Sequence, residues 1–268
     1  MLAEVFIFQF GVPMKFLTAF ALVFVVSFAA PAFADIDWDE KELTEEELIK
    51  RGFAGGVELG FNMTTGNTET TTYRSKIDVD HFLIGWRNNY VFETDYKEDD
   101  DEVKEERYFA SAQGNRQWAF AINSYTFYRY SYENDRFNGM EDANTISVGY
   151  GQRVLETDSM FLDLEGGPGY RTNDAKDKND EMIARVAGNY SWDISETSKF
   201  TQRLSSEIGE DNVVTRSETA ITASIIGSLA MKASFTVTHQ TAPTVDEEDD
   251  EELSKTDTRT AVTLLYSF

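Results

Sequence analysis

The sequence predicts an all-β chain folded as a transmembrane antiparallel β-barrel of about twelve strands. Three observations predict it. Runs of about ten to fourteen residues with alternating polarity recur along most of the chain, an export signal stands at the amino end, and the carboxyl end stops on an aromatic residue of an apolar strand face. Successive side chains of a strand point to opposite faces. Such runs therefore present one apolar and one polar face, and strands of this length cross a bilayer when tilted.

From the amino end, Met14 and Lys15 precede an apolar run from Phe16 to Ala30, then Pro31-Ala32-Phe33-Ala34 and an acidic stretch from Asp35. One positive charge, a short apolar core and an Ala-x-Ala site are the marks of a secretory signal. The run is shorter than the ~20 apolar residues a spanning helix needs. Residues 1–34 are thus expected to be a signal peptide cleaved after Ala34, with Met14 as the true start. In 35–51, Thr44-Glu45-Glu46-Glu47 has the form of a capping box before Leu48 and Ile49. A short helical piece on the periplasmic side is expected there, and the barrel itself over 52–268. The chain has no cysteine, so this exported domain must hold together without disulfides.

The runs are 52–63, 70–82, 86–96, 107–115, 118–130, 144–155, 159–171, 182–192, 198–208, 213–226, 229–240 and 258–268. Parity tests them. In 86–96, Trp86, Tyr90, Phe92 and Tyr96 oppose Arg87, Glu93 and Asp95. In 118–130, Trp118, Phe120, Ile122, Tyr128 and Tyr130 share a face opposite Arg129, and in 159–171 Met160, Leu162, Leu164 and Tyr170 oppose Asp163, Glu165 and Arg171. A charge at the bilayer midplane costs about 2–4 kcal/mol, so the charged parity must face the lumen. A soluble sandwich also alternates. It does not explain polar faces charged along whole strands, nor the alternation of long connections (97–106, 131–142, 172–181, 241–257) with short ones (83–85, 116–117, 156–158, 193–197, 227–228). Extracellular loops and periplasmic turns do. In the last run Thr258, Thr260, Val262, Leu264, Tyr266 and Phe268 share one face. Tyr266 and Phe268 are expected to sit in the interfacial girdle as the insertion signal, read by the barrel-assembly machinery.

Net charge is −24, concentrated in the outer connections. Asp99, Asp100, Asp101, Asp246, Glu247, Asp249 and Asp250 form an acidic mouth. Two roles fit it: solvated, self-repelling loops, or capture of divalent cations beside lipopolysaccharide phosphates. No loop has the ligand spacing of a calcium loop. Below the mouth, Arg74, Lys76, Arg87, Arg107, Arg129, Arg153, Arg171, Arg185, Arg203, Arg216 and Arg259 are candidate solute contacts, with Lys199 and Lys232 on the same faces. Glu58, Asp78, Asp80, Glu93, Asp95, Asp163, Glu165, Glu207 and Glu218 stand against them. These charges either pair across strands and brace the barrel, or grip an anionic solute, since lumen side chains set selectivity. No catalytic residue, metal, cofactor or nucleic-acid partner is expected. The two histidines, His81 and His239, fall on the lipid-facing parity, and neither Gly-x-Ser-x-Gly nor His-Glu-x-x-His occurs.

Four pieces in order carry a resemblance: Gly60-Phe-Asn-Met-Thr-Thr-Gly66-Asn67-Thr68, Asp135-Arg136-Phe137, Gly149-Tyr150-Gly151 with Arg153-Val154, and Gly166-Gly167-Pro168-Gly169-Tyr170-Arg171. Over about 52–268 the chain resembles the salt-induced outer-membrane protein family, the YdiY-like family of a domain of unknown function. The resemblance implies an outer-membrane β-barrel, supplies no catalytic residues, and through its name suggests an association with salt stress. Pro168 lacks a ladder donor, so a bulge or bend is expected between its flanking glycines. Two roles follow from the whole reading: a narrow channel for small solutes or ions in a Gram-negative outer membrane, or a non-conducting envelope-integrity barrel with acidic loops. The intact mass of the exported protein should correspond to a chain starting at Asp35; a mass retaining residues 14–34 would refute cleavage.

Overall fold

The computed structural model describes residues 52–64, 70–99, 102–118, 123–135, 140–174, 179–243 and 254–268. The expected signal peptide, the segment 35–51, and Asp100, Asp101, Asp246, Glu247, Asp249 and Asp250 of the acidic mouth lie outside the described residues. Twelve strands are present: β1 (Phe53–Thr64), β2 (Thr70–Leu83), β3 (Trp86–Asp99), β4 (Glu102–Gln117), β5 (Ser124–Asp135), β6 (Met140–Glu156), β7 (Met160–Thr172), β8 (Glu181–Ser195), β9 (Ser198–Ile208), β10 (Val213–Ile226), β11 (Leu229–Gln240) and β12 (Thr256–Ser267). Each pairs with its neighbour in sequence, and β1 pairs with β12 to close the barrel. All pairings are antiparallel.

The turn between β2 and β3 is held to two residues because Gly85 adopts φ 68°, a left-handed conformation that costs glycine nothing. At the closing seam Gly56 faces Ser267 and Leu59 faces Leu264. Gly55 and Phe268 exchange both backbone hydrogen bonds, at 3.0 and 2.9 Å. The terminal aromatic is thus part of the ladder.

Burial is inverted relative to a soluble protein. Among the described residues 33 large hydrophobic side chains are exposed, whereas 24 polar or charged residues and only 7 apolar ones are buried. A soluble sandwich would bury the first set, so this count decides between the two architectures. Leu59, Phe61, Ile77, Tyr90, Tyr128, Ile146, Leu164, Met182, Leu204, Ile221, Met231, Phe235, Val262 and Tyr266 all point outward. Exposed apolar area on this scale marks a surface meant for a partner phase.

Three expectations need correction. The fifth strand does not begin at Trp118. β4 continues to Gln117, Asn123 takes φ 59°, and β5 starts at Ser124. Trp118 follows the end of β4, and Phe120 and Ile122 lie outside the described residues. The long connection expected over 97–106 is largely strand, because β3 reaches Asp99 and β4 starts at Glu102, with an irregularity between Lys97 and Glu98. Pro168 produces no bulge: Ser147 faces Gly169 and Tyr150 faces Gly166 in one unbroken register, and only the positions between them lack partners. The lost donor interrupts the ladder without shifting it.

An arginine on the outward face has no lumen partner and must lie against the apolar phase. Ile221→Arg is expected to lower the unfolding free energy by about 2–4 kcal/mol in lipid, against about 1 kcal/mol for Ile221→Val. Denaturant titration in liposomes reads the difference; equal losses would count against a membrane face at β10.

Candidate functional site: the lumen

Inward side chains of all twelve strands enclose one cavity of about 800 Å³. Its wall includes Asp80, Arg87 and Asn115 near the end of the barrel that holds the Gly85 turn, and Glu105, Asp135, Arg171, Gln240 and Asp257 near the opposite end. It therefore runs the length of the barrel.

The strands place these side chains by alternation alone. Arg74, Lys76, Asp78 and Asp80 are every second residue of β2, and Glu93 and Asp95 face Lys76 and Arg74 across the ladder to β3. Asp95 is an anionic hub. Arg107 lies 3.1 Å from it, Arg259 3.0 Å and Arg74 3.3 Å, and its side chain is only 4 % exposed. Arg107 also reaches Glu93 at 3.0 Å and Glu133 at 2.9 Å. A second cluster joins Lys76 to Glu93 (2.7 Å), and Lys232 to Glu58 (2.9 Å) and Glu218 (3.1 Å). A third holds Arg171 to Glu181, to Glu207 at 3.5 Å and to the carbonyl of Asn212 at 2.9 Å. Desolvation of so many charges is offset only because each cation of these clusters has carboxylates in reach.

Several pairs join strands that are not neighbours, and so cross the lumen. Arg203 of β9 reaches Asp78 of β2 (3.4 Å), Arg259 of β12 reaches Asp95 of β3, and Arg216 of β10 binds Glu133 of β5. Gln113 of β4 donates to Glu165 of β7 at 2.7 Å. These struts subdivide the cavity.

Of the eleven candidate contacts, ten line the cavity: Arg74, Lys76, Arg87, Arg107, Arg129, Arg171, Arg185, Arg203, Arg216 and Arg259. Arg153 does not. It stands near the turn end of β6, in register with Asp163, to which it is bound at 2.7 Å, and is stacked over Phe161 at 4.4 Å. Lys199 likewise sits outside the cavity wall, paired with Asp193 at 3.1 Å. Asp99 of the acidic mouth ends β3 and accepts a hydrogen bond from Thr70 Oγ1 at 3.0 Å. Tyr266 and Phe268 are outward and exposed. His81 stacks on Phe53 at 4.3 Å, and His239 meets Thr256 Oγ1 at 2.8 Å, both away from the lumen. Among the described residues no three His, Cys, Asp or Glu side chains gather as metal ligands would.

Sequence reasoning by charge missed the inward aromatics. Phe127 is fully buried, Phe109 lies beneath the guanidiniums of Arg107 (5.2 Å) and Arg129 (6.0 Å), and Tyr125 donates to Glu165 at 3.0 Å. Their parity, the same as that of the neighbouring arginines, was the available signal.

Residues 57–268 match the family described as "Protein of unknown function, DUF481". The chain belongs to this family. It is also similar to the uncharacterized protein YdiY of Escherichia coli (strain K12), 25% identical over 220 residues that make up 81% of this chain and 84% of that one. Two solved structures resemble it more distantly. The KdgM porin is 11% identical, covering 80% of this chain and 99% of its own, with a TM-score of 0.42. The COG4313 outer membrane channel from Pseudomonas putida F1 is 9% identical, covering 81% and 95%, with a TM-score of 0.46. The architecture of this DUF481 barrel rests on its own strand pairing.

Asp95→Asn strips the shared carboxylate from three arginines at once. Breaking a buried pair from one side costs about 3–5 kcal/mol, and urea unfolding of the refolded barrel should show a loss of that order. A loss under about 1 kcal/mol, the value of an exposed pair, would mean that water screens the hub.

Proposed function

We propose that this protein is a Gram-negative outer-membrane barrel that acts as a narrow channel for small ions and solutes. One observation carries the reading: a polar cavity of about 800 Å³ among the described residues runs from one end of the strands to the other inside a barrel whose outer face is apolar. Lipid covers the apolar face and lipopolysaccharide surrounds the loops, while the seam strand ending at Phe268 is the segment offered to the assembly machinery. The cross-lumen struts narrow the passage, which favours small ions over large solutes. The acidic connections at the mouth concentrate cations there, divalent ones included. The resemblance to salt-induced outer-membrane proteins ties the proposal to salt or osmotic stress, and growth of a deletion strain in high salt tests that tie.

The same struts favour a second reading, a non-conducting barrel that serves envelope integrity. Arg203–Asp78, Arg259–Asp95 and Arg216–Glu133 would then be braces that fill the lumen.

Planar-bilayer recording of the refolded mature chain separates the two. The channel reading expects small, steady single-channel steps that grow in Arg203→Ala, where a strut is removed. Silence from a barrel shown to be folded by its heat-modifiable gel mobility would overturn it in favour of the brace.

A further inference from the structure

Charge pairing in the lumen is nearly complete, and its one gap is informative. Among the lumen arginines and lysines named above, each has a described carboxylate within 4.0 Å except Arg129. Arg185 comes next: its sole carboxylate, Glu165, is 3.9 Å away. The other oxygen of Glu165 is already taken by Gln113 at 2.7 Å and Tyr125 at 3.0 Å. Arg185 is only 7 % exposed, and the Nε atoms of both arginines are buried with no hydrogen-bond partner. So is the Oγ of Ser147.

These groups lie on one stretch of wall. Arg129 of β5 faces Ser147 of β6 in register, Ser147 faces Gly169 of β7, and Gly167, two residues earlier on β7, faces Arg185 of β8. The strand between the two arginine-bearing sides thus presents glycine at both positions. β6 and β7 approach so closely there that a Cβ on Gly167 would fall 2.1 Å from the Val148 carbonyl oxygen. No side chain from β7 at these positions can supply the missing anion.

A guanidinium nitrogen shut off from water without a partner is costly and is normally paired. Here the fold supplies two donor forks and a hydroxyl, and no described carboxylate within 4.0 Å of the half-buried Arg129. We propose that Arg129 and Arg185, with Ser147, form a binding site for a small oxyanion or carboxylate inside the lumen, the anion taking the place of the missing side chain. A guanidinium offers two parallel N–H donors to a planar or tetrahedral oxyanion, which is why arginine suits this role better than lysine. The ring of Phe109 lies 6.0 Å from the Arg129 guanidinium and closes one side of it. Small anions fit the cavity; a polymeric one would meet the struts. The inference rests on the lumen reading for access, although it does not require current to flow.

The test uses the full mature barrel refolded in detergent, with inorganic phosphate as the probe. Thermal unfolding is followed by heat-modifiable gel mobility at low-millimolar phosphate, against sodium chloride at matched ionic strength. In the unaltered protein Tm should rise and saturate, because a ligand that binds only the folded state stabilises it. Arg129→Gln and Arg185→Gln should each abolish the rise. Arg116→Gln, a charge loss beside Trp86 at a turn, should keep it. No phosphate-specific rise, or one unchanged in both lumen variants, overturns the site. Should a Gln variant fail to refold, Arg129→Lys is read instead: a weakened rise supports the site and an unchanged one overturns it. Bilayer silence with an Arg129-dependent rise retires the channel and keeps the site. Steady current with a rise indifferent to both variants does the reverse.

Discussion

A barrel closes only if its first and last strands pair, and in this protein that pairing is the shortest in the sheet. β1 meets β2 from Phe53 to Thr64 but meets β12 over Gly56 to Leu59, extended by the two bonds between Gly55 and Phe268. Without that seam β1 and β12 would both be open edges, which in an apolar phase leave backbone donors and acceptors unsatisfied. Closure also gives each strand an inner and an outer face. The exclusion of charge from the outer face, and its accumulation within, follow from that division.

Charges gathered inside a ring of strands repel or attract according to sequence alone, because alternation leaves them no other place to go. Basic and acidic residues come from different strands, so attraction acts across ladders and across the cavity. The chords from β2, β3 and β5 to β9, β12 and β10 resist flattening in a way that backbone pairing cannot. Such pairs contribute little net stability after desolvation. What they set is cross-section, by holding opposite walls at salt-bridge distance.

The sheet was legible because its signals are local. Alternation marks a strand within ten residues, and the two-residue turn at Gly85 announces itself. β9, β10 and β11 coincide with runs read from polarity alone. The misreadings have one cause: a period-two pattern does not say when the backbone stops following it. Trp118 alternates in sequence with Phe120 and Ile122 yet lies between β4 and β5, while the acidic residues around Asp99 look like loop and belong partly to strands. Lumen membership was legible for the same reason, since parity decides it, and Arg153 and Lys199 depart because they stand at the strand ends, where each pairs with a neighbouring carboxylate. Partnership was not legible. That Arg259 meets Asp95, 164 residues away, depends on barrel closure and stagger, which no local pattern encodes. The gap at Arg129 was equally hidden, because it is a property of the whole ring of partners.

The distribution of struts bears on how a solute would pass. Every chord noted above from β9, β10 or β12 lands on β2, β3 or β5, so the wall made by β6, β7 and β8 lies to one side of them. That wall carries small inward residues at Ser147, Gly149, Gly167, Gly169 and Ala187, alongside its own charges Asp163, Glu165, Arg171, Glu181 and Arg185. The strut from Gln113 of β4 to Glu165 of β7 does land on that wall, and a solute in the proposed channel would pass it beside Arg129 and Arg185. A positive field only partly compensated there, by Glu165 at 3.9 Å from Arg185, acts on anions along that path. Selectivity in such a lumen would come from Arg129, which has no described carboxylate within 4.0 Å, and from the loosely paired Arg185, and the closely paired charges would determine how wide the path can be.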